Sequence, residues 1–115
     1  MRHVFVAPTD REAHEVARPA FADHHVGFTH LWRLHGSERH SAPLDVDQLV
    51  AEGRLYVGSP ETVAGQVAEA VTAGEVNYVA GSFAWGSLAP ETSLRSLQLF
   101  RDEVIPAVRR AVPAR

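Results

Sequence analysis

Histidine is the side chain whose number and placement in this sequence most invite a chemical role. The chain has seven histidines, and all lie within its first forty residues: His3, His14, His24, His25, His30, His35 and His40. Neutral imidazole is a common ligand of zinc and other transition metals. The last three are five residues apart, however, and this spacing turns them around a helix instead of aligning them on one face. No carboxylate at an i, i+4 position completes a ligand set, so we expect an exposed polar helix face and no metal.

The second candidate is the turn before a helix at Gly58-Ser59-Pro60-Glu61. Ser59 suits the N-cap position, Pro60 the first helical position, and Glu61 complements the positive end of the helix dipole. Free backbone amides and the same dipole would also favour a bound phosphate. A plain cap and a phosphate site are therefore both open for Ser59, although the turn lacks the glycine-rich loop that usually surrounds a phosphate.

Composition bounds the protein class. The chain has 115 residues, enough for a single domain over 1–115, with 45% hydrophobic and 22% charged residues. The net charge of −3 gives no basic patch for nucleic acid or an anionic membrane. The lack of cysteine excludes disulfides, thiolate nucleophiles and cysteine-ligated metals. No apolar run approaches the roughly 20 residues of a membrane span, so we expect a cytoplasmic protein.

Three strand–helix units follow one another along the chain. A buried strand at 2–7 precedes the capping box Thr9–Glu12 and a helix that Pro19 is expected to kink or divide. A polar loop at 37–43 and a short helix at 45–53 lead to the second strand, at 55–57.

The second and third units have shorter connections. The helix after Ser59 carries an apolar stripe and ends at Gly74. A third strand is predicted at 76–84, a loop at 85–90, and a last helix that Pro106 should bend. This alternation is typical of parallel βαβ units, so the predicted fold class is α/β.

Five segments, taken in order, carry a family resemblance. They are VFVAPTD at 4–10, HLWRLHG at 30–36, GSPETV at 58–63, VNYVAGSFAWG at 76–86 and LRSLQLFRDEVIP at 94–106. Together they resemble the C-terminal part of luciferase-like flavin-dependent monooxygenases, which are (β/α)8 barrels that use FMN or deazaflavin. The resemblance covers the last three of eight barrel units and implies a partial barrel with a small parallel sheet. The earlier units, which supply most of the flavin floor and the phosphate-binding loop, have no counterpart in this sequence.

The resemblance implies sites at the carboxyl ends of the strands, where barrel enzymes place their chemistry. The candidate cofactor residues are Phe83, Ala84, Trp85, Gly86 and Ser59. Phe83 and Trp85 would form an aromatic wall beside the flavin ring, and Gly81 and Gly86 would let the backbone come close to it. Ser59 is a candidate through its helix start, although the family holds the flavin phosphate on an earlier unit. The alternative is that Phe83 and Trp85 are ordinary core or interface aromatics.

The segment at 28–35 resembles the stretch that shapes the substrate pocket in the family. Trp32, Arg33 and His35 could touch substrate in a complete enzyme. In the fragment, Trp32 is instead expected to pack in an interface with a partner. No catalytic residue is identified in this sequence.

Three strands cannot close a barrel. With all crossover helices on one side, one sheet face would be open, and we therefore expect a homodimer or an association with the missing N-terminal part of the barrel. Two functions remain: a piece of a flavin-dependent oxidoreductase that is inactive alone, and a non-catalytic oligomeric assembly module.

Overall fold

The computed structural model describes residues 2–36, 45–74 and 79–112. Its elements, in chain order, are strand β1 (Arg2–Val6), helices α1 (Asp10–Leu34) and α2 (Val46–Ala51), strand β2 (Leu55–Gly58), helix α3 (Pro60–Ala73), strand β3 (Gly81–Ser82), helix α4 (Pro90–Leu99), a π-helical segment (Phe100–Val104) and helix α5 (Ile105–Ala111). The predicted α/β class is confirmed. The loop predicted at 37–43 and residues 76–78 of the third predicted strand lie outside the described residues.

The two long helices after β1 and β2 begin where the sequence predicts. The Thr9 hydroxyl accepts a hydrogen bond from the Glu12 amide at 3.2 Å, and the Ser59 hydroxyl accepts one from the Thr62 amide at 3.3 Å. Helix α1 then runs for 25 residues without a break at Pro19, whose ring lies on the exposed side of the helix. The expected division of this helix at Pro19 is therefore wrong.

The sheet has β1 in its centre, in the order β2-β1-β3, and all three strands are parallel. Consecutive units of a barrel would place β2 in the centre, because each strand then pairs with the next one along the chain. Strand β3 has instead crossed to the far side of β1, where it pairs Gly81 with Arg2 and Ser82 with His3. Of the nine residues predicted as the third strand, 79, 80, 83 and 84 are described but lie outside any strand.

This strand order places helices on both faces of the sheet. The connection from β1 to β2 runs in one direction and the connection from β2 to β3 in the other, so right-handed crossovers put α1 and α3 on opposite faces. Phe5 and Ala7 accordingly pack against α1 and α2, while Val4 and Val6 pack against α3 and the C-terminal helices. The expectation that all crossover helices share one side, leaving an open sheet face, is therefore wrong.

The C-terminal helix widens just before its proline. Pro106 has no amide hydrogen, and its ring would collide with the carbonyl of Asp102 in a regular α-helix. The preceding turn is π-helical, and the amide of Ile105 donates to the carbonyl of Phe100, five residues earlier. The sequence predicts a bend at Pro106, and the structure shows a local widening of the turn that precedes this residue. None of the described helices is both long enough and apolar enough to cross a membrane.

Candidate functional site at the carboxyl end of β1

The crevice that best fits a ligand site lies outside the carboxyl end of β1, between α1 and α4. It has a volume of about 820 Å³ and is open to solvent on one side. The connections that leave β1 and β3 run to opposite faces, so this is the topological switch point of the sheet, where open α/β folds bind ligands. We refer to this cavity as the β1–α4 crevice.

The walls of the β1–α4 crevice come from three elements. The floor is the end of β1, from Phe5 to Pro8. Helix α1 adds Glu12 and Glu15, and α4 with the π-helical segment adds Arg95, Asp102 and Glu103 as further charged side chains. The wide turn before Pro106 thus carries two of the carboxylates that reach the cavity.

The charge of the β1–α4 crevice is negative. Four carboxylates and one guanidinium line it, although two of the carboxylates are partly neutralised by arginines. Arg11 contacts Glu15 at 3.1 Å and Arg101 contacts Asp102 at 2.7 Å, and the second contact lowers the pKa of Asp102. Because like charges repel, the cavity suits a cationic or hydrogen-bond-donating ligand better than a phosphate.

Ser59 lies at the neighbouring strand end, where its backbone amide is bound to a carboxylate of the chain. The backbone amide of Ser59 donates to Oδ1 of Asp10 at 2.7 Å, and this hydrogen bond is the main reason why the pKa of Asp10 is lowered. A side chain at Gly58 would come within 2.8 Å of the same oxygen. The structure therefore places Ser59 as a helix cap whose own amide is held by a carboxylate of the chain itself.

The segment 83–86 does not form one wall. Phe83 packs edge-to-face on Phe100 at 5.0 Å in the core on the α3 side. Trp85 is buried on the opposite side of the sheet, against α1, and its Nε1 donates to the carbonyl of Val4 at 3.2 Å. Ala84 between them is exposed. The structure thus places the two aromatics as core residues, and it does not bring them together beside a common cavity.

Gly86 makes a close approach, but the neighbour is a helix. Its φ is +59°, and a Cβ at this position would lie 1.9 Å from the carbonyl oxygen of Ala20 in α1. Only glycine allows both this backbone conformation and this distance. The close approach that the resemblance assigns to a flavin is made to α1.

Trp32, Arg33 and His35 lie at the far end of α1, away from the β1–α4 crevice. All three are exposed, and Arg33 donates to the carbonyl of Val26 at 2.8 Å. The carboxyl end of β1 leads directly into the first turn of α1, so the helix runs back along the sheet. Because α1 has 25 residues and β1 only five, the last turns of the helix lie beyond the amino ends of the strands. The structure does not bring the predicted substrate residues near the predicted cofactor residues.

Two of the seven histidines meet across the fold. Nε2 of His3 on β1 lies 3.0 Å from Nε2 of His24 on α1, beside the rings of Phe21 and Trp85. Burial is the main cause that lowers the pKa of both imidazoles, and the charge of His24 further lowers that of His3. The sequence hints at this pair only through the aromatic residues around His24, because a contact between residues 21 positions apart depends on where α1 crosses β1.

Residues 2–36, 45–74 and 79–112 contain no group of three or more histidine, aspartate or glutamate side chains placed to hold a metal ion. Neither the models of known protein families nor the curated proteins match this chain.

Proposed function

We propose that this chain supplies the last three units of a luciferase-like, flavin-dependent monooxygenase, in the cytoplasm, and is inactive by itself. The observation that supports the proposal is the order of five sequence segments, from 4–10 to 94–106, which together span nearly the whole chain. The parallel βα units of the fold are consistent with it at the level of fold class.

The isolated chain does not fit a flavin. Its aromatic candidates Phe83 and Trp85 lie in separate cores, the amide of Ser59 is held by Asp10, and the β1–α4 crevice is rich in carboxylates. In the proposed enzyme the phosphate of FMN, or of a deazaflavin, is therefore held by the earlier units. This chain would close the barrel and exclude water around the ring.

The proposal requires the strands to re-pair. In a closed barrel β3 lies beside β2, whereas in this structure it lies beside β1. Strand β3 is only two residues long here, and beyond it two side chains complete the edge of β1. An earlier barrel strand would take that edge of β1 in the complete enzyme and release β3 to pair with β2.

Engineered cysteines distinguish the two strand orders, since the chain has no cysteine of its own. His3 and Ser82 face each other in the present register, so H3C/S82C should form a disulfide in the isolated chain. Leu55 and Ser82 lie two strand spacings apart, about 10 Å, which is too far for a disulfide. Fused behind the first five units of a flavin-dependent member of the family, the chain should cross-link through L55C/S82C instead.

Flavin binding is the functional test on the same fusion. We expect the fusion to retain about one flavin per chain after desalting, and the isolated chain to retain none. A folded fusion that cross-links through H3C/S82C and binds no flavin, beside a host enzyme that does bind it, would overturn the proposal. Tight flavin binding by the isolated chain would equally contradict it.

A second function, as a non-catalytic assembly module, is favoured by one feature of α1. The first half of this helix buries Ala13, Ala17 and Ala20, but the continuation of the same stripe exposes 65% of Leu31, and the neighbouring Leu34 is 66% exposed. Exposed apolar residues in one patch are typical of an interface. The partner that fits this function is a second copy of the chain, with no role for nucleic acid or a membrane.

Sedimentation equilibrium tests the assembly function. The wild-type chain should be a dimer at micromolar concentration, and L31Q/L34Q should shift it to monomer. The control is L94Q/L97Q, which removes two similarly exposed leucines from α4 and should leave the dimer intact. A wild-type monomer, or equal effects of the two double variants, would argue against the module.

A further inference from the structure

The His3–His24 pair lies at the point where α1 leaves the sheet. Towards the start of the helix, Ala17 and Ala20 are buried against the sheet, and towards its end Phe28 and Leu31 are exposed. His24 continues the same stripe, four residues after Ala20 and four before Phe28. Its Nε2 faces Nε2 of His3, so the pair joins the centre strand to the helix at the last position before this stripe becomes exposed.

The surroundings of the pair are largely apolar. The ring of Phe21 lies 6.3 Å from that of His3, Trp85 lies 5.8 Å from His3, and Phe28 stacks on His24 at 6.2 Å. Both imidazoles are part-buried. A second positive charge here would be poorly solvated.

The charged groups on the elements around the pair offer little compensation. On β1, the neighbouring Arg2 directs its Nε to the carbonyl of Gly53 at 3.0 Å. On α1 the neighbours in sequence are Asp23, which is exposed, and His25, whose charge lowers the pKa of His24. The segment 81–89, which carries Trp85, has no charged residue. The charges that shift the pKa values of the two rings are thus those of other histidines: His24 acts on His3, and His25 acts on His24.

The hydrogen bond between the rings depends on how many protons they carry. An Nε2–H of one ring can donate to the lone pair of the other while at least one ring is neutral. When both rings are protonated, two N–H groups and two positive charges face each other at 3.0 Å. The bond is then lost and the rings must separate.

We propose that His3 and His24 form a pH-sensitive contact between β1 and the second half of α1, closed while one ring is neutral and opened when both are protonated. This inference is independent of any flavin function. The direction of the pH dependence follows from linkage. Burial lowers the pKa of both rings from the ordinary 6.5, so the released state binds protons more readily than the closed pair. The contact is fully stable above about pH 6.5 and is lost as the pH falls below that value.

Hydrogen exchange of the backbone amides in 26–34 measures the release directly, after correction for the intrinsic pH dependence of exchange. We expect their protection factors to fall by about tenfold between pH 7.5 and pH 5.0, because the released rings take up protons that the closed pair binds less readily. His24→Gln keeps a hydrogen-bonding amide but does not titrate, so its protection should change much less over the same range. His3→Gln should behave in the same way from the other side of the contact.

The matched control is His30→Gln, which removes an exposed histidine from the same helix and should retain the wild-type pH dependence. A general loss of stability in a variant would lower protection at every pH and leave the pH dependence in place. The proposal is overturned if wild-type protection does not fall with pH, or if His24→Gln and His30→Gln show the same fall.

Discussion

The backbone groups along the two edges of β1 have different kinds of hydrogen-bond partner. Along one edge, β2 pairs with β1 at four consecutive positions, from His3 with Leu55 to Val6 with Gly58. Along the other edge, β3 pairs at only two positions, and beyond them two side chains form the hydrogen bonds to the β1 backbone. Trp85 donates to the carbonyl of Val4 from 81 residues away, and Ser96 accepts from the amide of Val6 from 90 residues away.

Because of this difference, the stability of the β2 edge depends on backbone hydrogen bonds, whereas that of the β3 edge depends on the identity of particular side chains. A ladder of backbone hydrogen bonds survives most substitutions, because every residue except proline carries the same groups. An edge that is completed by side chains leaves a buried peptide group unpaired when one of them is removed, at a cost of about 1–3 kcal/mol. Single substitutions should therefore cost more on the β3 side of β1 than on the β2 side.

The largest effect is expected for Gly86→Ala, in the turn that directs Trp85 to β1. The new Cβ would lie 1.9 Å from the carbonyl oxygen of Ala20, at a residue whose φ is +59°. Backbone strain and overlap together should lower the free energy of unfolding by about 3 kcal/mol in urea titrations. Gly65→Ala is the control, since a Cβ there meets no atom within 4 Å and alanine favours the helix. A cost for Gly86→Ala below that of ordinary surface substitutions would show that this turn does not pack on α1.

Ser96→Ala should have the next largest effect, about 2 kcal/mol, because it leaves the buried amide of Val6 without its acceptor at 2.8 Å. Ser93 on the same helix has a buried hydroxyl with no hydrogen-bond partner in the described part of the chain. Ser93→Ala should therefore be neutral or slightly stabilising. Equal losses in the two variants, measured by urea unfolding at pH 7, would mean that Ser96 acts by packing alone.

The β2 side of the molecule was predictable from the sequence, because its signals are local. The strands at 2–7 and 55–57 are short apolar runs, and the caps at Thr9 and Ser59 follow from the residue types within one helical turn. The β3 side was not predictable. The same alternation of strands and helices is compatible with β2 or β1 in the centre, and nothing near Trp85 or Ser96 in the chain shows that each will bond to β1.

The candidate site was predictable only in outline. The sequence directs attention to the carboxyl ends of the strands, and the β1–α4 crevice does lie there. Its charged residues were missed, because Glu12 and Asp102 are 90 positions apart and meet only through the strand order. The one local signal was Pro106, which predicts a bend in this helix. The disturbed turn lies upstream of the proline, where Asp102 and Glu103 reach the cavity.

The smallest effect is expected on the β2 side, for Asp10→Asn. The Asp10 carboxylate accepts from the amide of Ser59 at 2.7 Å at an exposed position, so its loss should cost about 1 kcal/mol at pH 7. The same hydrogen bond lowers the pKa of Asp10 below the ordinary 3.8. The folded state therefore binds the proton less readily, and the contribution of Asp10 is present above pH 3.8 and lost as the pH falls through the lowered pKa.

The difference in unfolding free energy between wild type and Asp10→Asn, measured in urea at pH 7 and at pH 3, tests this contact. The difference should shrink at pH 3, because this pH is below the ordinary 3.8 and the unfolded chain then takes up a proton that the folded chain binds less readily. Glu61→Gln is the control: it removes a carboxylate from the first turn of the same helix α3, which should cost only a few tenths of a kcal/mol. If Asp10→Asn costs no more than Glu61→Gln, the hydrogen bond from Ser59 to Asp10 contributes nothing beyond the helix dipole. If it costs as much as Ser96→Ala, the two edges of β1 do not differ as the hydrogen bonds indicate.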